Sequence, residues 1–307
     1  MYFKRPALIF LCIVITLGLT LYSPDISVSD LKSKYANQYS KFIEIDGMKV
    51  HYRDQGKGET IVLLHGTGAS LHTWDKWTDK LKNNYRVIRL DLPAYGLTGP
   101  HPENKYSISE YSEFLNSFIK ELKLKDFILS GNSLGGSISW YYASVYPEKV
   151  KLLSLLSPGG FSNKKNESPL VIKLARAPVI NTLLRYVTPR FFIKNTLKEV
   201  YYDQSKLTDN KIDTYRDMIL RDNNRESFII RSLLKPKDHT NRLKLISAPT
   251  QIIWGNQDAW IPVSNAEFFE SKISNIRIDI MDKTGHIPME ERPIESVDLF
   301  LDFIISN

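Results

Sequence analysis

The sequence predicts an α/β protein whose sheet is doubly wound and mainly parallel, interrupted by one block of helices. Three observations carry that prediction. Short apolar runs bounded by turn residues alternate with stretches of helical period through most of the 307 residues, the pattern of strand and crossover helix. TIVLLHG holds an apolar run from Ile61 to Leu64, as strands buried on both faces do, and PTQIIWG reads as another buried strand. The alternation stops only between residues 159 and 240, where helical periodicity takes over.

Composition sets the outer limits. A chain this long with 42% hydrophobic residues buries a large core as one domain, or as one domain carrying an insertion. Its single cysteine, Cys12, lies in the first apolar run. The globular part therefore has no thiol for a disulfide, a cysteine-ligated metal or a cysteine nucleophile.

Taken in order, residues 1–24 open with Lys4 and Arg5 before an uncharged run from Pro6 to Pro24. This is read as an uncleaved membrane anchor, with a cleaved signal peptide as the alternative and a buried N-terminal helix as the bland one. In the first two cases the positive end stays in the cytoplasm and the catalytic part faces the periplasm or the exterior. The polar residues 25–40 read as a stalk. From residue 41, KFIEID and MKVHYRD alternate in polarity on either side of Asp46-Gly47, the signature of a two-residue hairpin. TIVLLHG then predicts a buried strand, 71–82 a helix, 85–91 a strand, 107–124 an amphipathic helix, 127–132 a strand, 133–146 a helix and 150–156 a strand. That completes a first core part, 41–160.

Residues 161–240 read as a helical cap: 169–187 broken near Pro178, then 191–202 and 209–234, with Ile212, Tyr215 and Ile219 on one face. The cap holds 16 Lys and Arg against nine Asp and Glu, an excess equal to the +7 of the whole chain. Such a basic block suits an anionic membrane surface or substrate, or is simply a lysine-rich helical surface. No recognition motif points to nucleic acid. Residues 241–307 resume the core with strand 249–255, helix 264–273, strand IRIDIM, the turn DKTGH and a last helix at 293–305.

The chemistry gathers at three turns. FILSGNSLGG breaks from a strand into Gly-x-Ser-x-Gly at Ser133, where a tight strand-to-helix turn lifts a serine hydroxyl out of the sheet. Asp258 follows the strand at 249–255, and His286 follows the next one. All three stand at carboxyl ends of strands, where side chains distant in sequence converge. A serine needs a base within reach, and the base a carboxylate to set its tautomer, so Ser133, His286 and Asp258 form a candidate nucleophile, base and acid. Asp282, four residues before His286, competes with Asp258. His65 precedes the nucleophile and is read as structural. His51, His72, His101 and His239 show no metal-ligand spacing, and no cofactor or metal is expected.

Several motifs together resemble the α/β-hydrolase superfamily over nearly all of 41–305. They are His65-Gly66-Thr67-Gly68, DLPAYG at 91–96, GNSLGG at 131–136, WGNQD at 254–258 and TGH at 284–286. The nearest likeness is to capped serine esterases and lipase-like members. The resemblance implies an eight-stranded, mainly parallel sheet with helices on both faces. It also implies an oxyanion hole from the backbone N–H groups of Thr67 and Leu134, and cleavage of a carboxylic ester, lipid or small molecule. Serine at the elbow disfavours the aspartate-dependent epoxide hydrolases and dehalogenases. A carbon–carbon bond hydrolase acting on a diketone, and a catalytically silent binding member, remain as alternatives. Ala94 departs from the pattern, standing where the superfamily has glycine.

Overall fold

The computed structural model describes Gly18 and residues 20–160 and 168–307. The chain enters its sheet through the hairpin of β1 (Ser40–Ile45) and β2 (Met48–Gln55). Ile45 pairs with Met48, so Asp46 and Gly47 alone make the turn, with φ of 49° and 77°. Two successive positive φ values match the strand twist, and only pairs such as Asp-Gly adopt them readily. β3 (Glu59–Leu64), β4 (Tyr85–Leu90), β5 (Phe127–Asn132), β6 (Val150–Leu156), β7 (Thr250–Gly255) and β8 (Ile276–Met281) follow. The order across the sheet is β1-β2-β4-β3-β5-β6-β7-β8. β2 is antiparallel to both neighbours, and β3 through β8 are parallel.

The unbroken apolar runs are explained by burial on two sides. Along β3, Val62 and Leu64 pack into one core with Phe114, Phe118 and Ile138. Ile61 and Leu63 pack into the other with Trp74, Trp77 and Phe300. Alternate side chains of a strand point to opposite faces, so a strand with helices on both sides carries apolar residues on both of its faces. The first layer is built on α3 (Ile108–Glu121) and α4 (Leu134–Val145), the second on α2 (Asp75–Leu81) and the C-terminal helix, residues 293–305. Helix α3 starts at a capping box, Ser107 accepting from Glu110 N and Glu110 from Ser107 N, which satisfies two otherwise orphaned donors. Trp77 stacks on Phe300 at 4.9 Å and its indole N–H reaches Ser296, joining the helices of the second layer.

Residues 25–40 are not a free stalk. They contain α1 (Val28–Tyr35), capped by Ser27. Leu31 is fully buried beside Leu97 and Met218, and Lys34 and Tyr35 both reach Asp217. One leucine on a polar helix leaves almost no periodic signal, and Asp217, the partner of Lys34, lies 183 residues away in sequence. Upstream, Ser23 N donates to Tyr186 O at 2.8 Å, so the docked segment begins before residue 25. The uncharged run at 6–24 lies for the most part outside the described residues. No helix among the described residues is long and apolar enough to cross a membrane.

Between β6 and β7 stand α5 (Leu170–Arg176), α6 (Ile180–Leu184), α7 (Arg190–Val200), α8 (Asp209–Ile219) and α9 (Asn224–Leu233). The break near Pro178 falls as expected. The single helix expected at 209–234 is instead two, separated at Asn223, whose φ of 65° is left-handed. The N-terminal segment takes up the freed backbone groups. Ile26 N donates to Leu220 O at 2.7 Å, and Asp222 N donates to Ile26 O at 3.1 Å. After β7 come α10 (Asn265–Glu270), α11 (Pro288–Glu291) and α12 (Pro293–Ile305).

Candidate active site

The elbow follows from two glycines. A Cβ on Gly131 would lie 2.3 Å from Gly135 O, and one on Gly135 would lie 2.2 Å from Leu64 O. Only glycine lets β5 turn into α4 this tightly. Between them Ser133 is held at φ 53°, ψ −111°, a backbone state that costs a non-glycine residue on the order of 1–3 kcal/mol. Such strain places the hydroxyl at the mouth of the turn, in a cavity shared with His286, Thr67 and Asn132. Leu134 is the first residue of α4, so its N–H has no acceptor within the helix.

His286 is placed from several directions. Its Nδ1–H donates to Asp258 Oδ2 at 2.7 Å; a carboxylate accepts, so the proton sits on Nδ1 and Nε2 carries the lone pair. Nε2 is buried with no hydrogen-bond partner. The backbone N–H of His286 donates to Val200 O at 2.8 Å, and its carbonyl accepts from Asn132 Nδ2 at 3.0 Å. Trp260 packs beside the ring at 5.5 Å.

Asp258 has its acceptor positions filled. Oδ1 takes the backbone N–H groups of Trp260 and Ile261 at 2.8 and 2.9 Å, and Oδ2 takes the Trp254 indole N–H at 3.1 Å besides His286. The competitor Asp282 is exposed and accepts from Asn256 at 2.8 Å. The carboxylate bonded to His286 is therefore that of Asp258.

His65 is fully buried, with Nδ1 donating to Gly66 O at 2.8 Å and Nε2 accepting from Leu92 N at 3.0 Å. Burial pushes its pKa down, and both nitrogens are engaged in shaping the loop. A second Ser-His-Asp chain exists away from the cavity: Ser40 Oγ to His51 Nε2 at 2.9 Å, and His51 Nδ1 to Asp91 Oδ2 at 2.7 Å. It braces the first hairpin. Ser40 Oγ already receives Asn37 N and Arg53 Nε, and Asp91 also holds Leu71 N and Leu97 N. Burial pushes Asp91 up, yet His51, with His65 and His72, more than offsets this and holds its pKa below the usual carboxylate range. In the DLPAYG turn Ala94 sits at φ 78°; the turn keeps the shape that glycine would adopt, at the cost of left-handed backbone for an alanine.

Sequence reasoning missed three supports of the site. Asn132 ties the elbow to the histidine loop. Trp254 holds the acid. Glu291, 1% exposed, accepts the backbone N–H groups of Gly285 at 2.7 Å, Asp203 at 2.7 Å and Tyr202 at 3.2 Å. It thereby joins the histidine loop to the inserted helices. An acidic residue in the first turn of a four-residue helix gives no signal of partners 88 and 89 residues upstream.

Residues 59–293 match the family described as alpha/beta hydrolase fold. The chain belongs to the α/β-hydrolase fold family. It is similar to the mouse protein named monoacylglycerol lipase ABHD6, 29% identical over 263 residues that cover 82% of this chain and 77% of that protein. It is similar too to the Paraburkholderia phymatum 2-hydroxy-6-oxononadienedioate/2-hydroxy-6-oxononatrienedioate hydrolase, 29% identical over 287 residues covering 89% and 95%. Among solved structures, a membrane phospholipase A described as a bacterial virulence factor superposes with a TM-score of 0.76 at 25% identity, covering 100% of this chain and 99% of that one. As a family member with these relatives, the chain is a hydrolase of this fold.

Proposed function

We propose that this α/β-hydrolase cleaves carboxylic esters of lipids through an acyl-enzyme on Ser133. The observation that carries the reading is the bare Nε2 of His286, buried in the cavity that Ser133 lines, while Nδ1 is tied to Asp258. In this reading His286 Nε2 takes the Ser133 proton as Oγ attacks the ester carbonyl. The tetrahedral oxyanion is held by the N–H groups of Thr67 and Leu134; losing one such donor costs about 3–4 kcal/mol. His286 returns the proton to the departing alcohol, and water, activated by the same nitrogen, releases the acid. Val171, Leu184, Phe192, Ile193, Leu197 and Ile219 line the same cavity and suit an acyl chain.

The membrane reading concerns the N-terminal run. Its last residues approach the inserted helices, where Tyr22 pairs with Val187. Around them Tyr22, Val179, Leu183, Tyr186 and Phe191 are all more than half exposed. Such a patch is costly in water and suits a lipid surface, with the catalytic part on the non-cytoplasmic side. The full-length protein is expected in the membrane fraction and resistant to high salt. Recovery of the chain, N-terminus intact, only in a salt-washed soluble fraction would refute the anchor.

A carbon–carbon bond hydrolase is the second reading, favoured by the similarity to the dienedioate hydrolase. Turnover of p-nitrophenyl laurate against a ring-cleavage diketone separates the two. Ser133→Ala and His286→Ala are each expected to abolish ester turnover, with the double variant barely worse, because the residues act as one unit. Substantial activity in Ser133→Ala would sink the mechanism. Failure of a phosphonate to label Ser133 in the unaltered protein would favour a silent binding member.

A further inference from the structure

One wall of the cavity carries polar groups that nothing in the fold satisfies. Arg225, the second residue of α9, is 6% exposed. Its Nη2 donates to Asp25 at 2.6 Å, while Nε and Nη1 are buried without a partner. Its neighbour Asn224, 3% exposed, commits its amide N–H groups to Met218 O at 2.7 Å and Gly96 O at 3.1 Å. That leaves Asn224 Oδ1 as a buried acceptor, also without a partner. Both residues line the cavity that holds Ser133 and His286. Buried donors and acceptors are normally satisfied, and a ligand that completes them is selected over one that does not.

The chemistry of these groups narrows the ligand. The charge of Arg225 is balanced by Asp25, so the wall does not call for an anion. Two donors and one acceptor on consecutive lining residues suit a group that both accepts and donates, which a hydroxyl does and a phosphate diester or carboxylate does not. Nothing in the proposed acyl transfer uses either residue. We propose that Arg225 and Asn224 form an alcohol subsite that holds free hydroxyls on the alcohol part of the ester cleaved at Ser133, as in an ester leaving glycerol. This rests on the ester-hydrolase reading above. It also gives the docked N-terminal segment a role at the site, since Asp25 steadies the guanidinium.

The test uses the full chain in detergent and three substrates of equal acyl length: 1-monolauroylglycerol, ethyl laurate and lauroyl lysophosphatidate. The unaltered protein is expected to prefer the glycerol ester to the ethyl ester by about 10-fold or more in kcat/KM, as a site built around a substrate hydroxyl does. Arg225→Met is expected to bring that ratio to within about threefold of unity. A ratio near one in the unaltered protein, or one that Arg225→Met leaves in place, would overturn the subsite. So would an Arg225-dependent preference for the phosphate ester, which would make it an anion site. Should Arg225→Met fail to fold, competition on the unaltered protein decides. Against p-nitrophenyl butyrate, 1-O-dodecylglycerol is expected to inhibit about 10-fold better than dodecyl ethyl ether, and equal inhibition would overturn the proposal. Failure of the unaltered protein to turn over any ester, p-nitrophenyl butyrate included, would overturn the ester-hydrolase reading and the subsite with it. Turnover without hydroxyl preference removes the subsite alone.

Discussion

Glu291 offers a sharp test of how the histidine is held. Its carboxylate accepts three backbone N–H groups, two from the inserted helices' return loop at Tyr202 and Asp203 and one from Gly285 beside His286. In Glu291→Gln the shape is kept, but charge-assisted hydrogen bonds worth about 1.5–3 kcal/mol become neutral ones worth about 0.5–1.5. One new amide N–H also faces a backbone donor. About 1 kcal/mol lost at each of the two bonds the remaining carbonyl can keep, and about 1–3 kcal/mol at the unmade third, give about 3–5 kcal/mol, or a fall in Tm of about 5–8 °C for a chain of this size. Because Val200 O also takes His286 N, release of this junction shifts the imidazole as well as the loop. A misplacement of about 1 Å can cost 100-fold, so kcat/KM for p-nitrophenyl butyrate is expected to fall about 10-fold beyond any loss of folded protein. Thermal unfolding and steady-state kinetics on the same preparation read both quantities. Stability within about 0.5 kcal/mol of the unaltered protein, the range of an ordinary surface substitution, would refute the reasoning. Lost stability with unchanged kcat/KM would show that Glu291 fastens the loop without positioning the histidine.

Asp258→Asn is expected to remove most activity, because an amide cannot hold His286 in the Nδ1–H tautomer, whereas Asp282→Asn leaves turnover within a fewfold; the reverse order would reassign the acid. Ala94→Gly is expected to raise stability by about 0.5–1 kcal/mol in urea unfolding, since relief of the left-handed alanine exceeds the added freedom of the unfolded chain; a less stable variant would show that the turn carries no strain. Burial, reinforced by Arg53, pushes His72 down to about 4. As pH falls below about 6.5 the unfolded chain binds a proton that folded His72 refuses, so stability drops by up to about 1.4 kcal/mol per pH unit until pH 4. His72→Gln is expected to flatten that acid limb, and an unchanged slope would assign it to other groups.

The strands were legible in the sequence where both faces are buried, because stretches such as 61–64 and 252–254 are then apolar at consecutive positions. The hairpin was legible because Asp46-Gly47 is one of few pairs that tolerate two positive φ values. The placement of Ser133 was legible because an apolar run marks the strand before it and the elbow demands glycine two residues to either side of the serine, and that of His286 because it closes the turn after the alternating strand IRIDIM. All these signals are local, set by backbone geometry within a few residues. What only the tertiary structure decided depends on contacts across 28 to 200 residues. Asp258 was already preferred to Asp282 in the sequence, but that its carboxylate is the one bonded to the imidazole is a tertiary contact. The docking of residues 25–40 came from one leucine, two hydrogen bonds to Asp217 and the pairing of Ile26 with the broken α8–α9 junction. The unpaired groups of Arg225 and Asn224 are visible only once the cavity has closed around them. Single polar residues carry no period, so nothing in their own stretch of chain announces the partner that folding supplies or withholds.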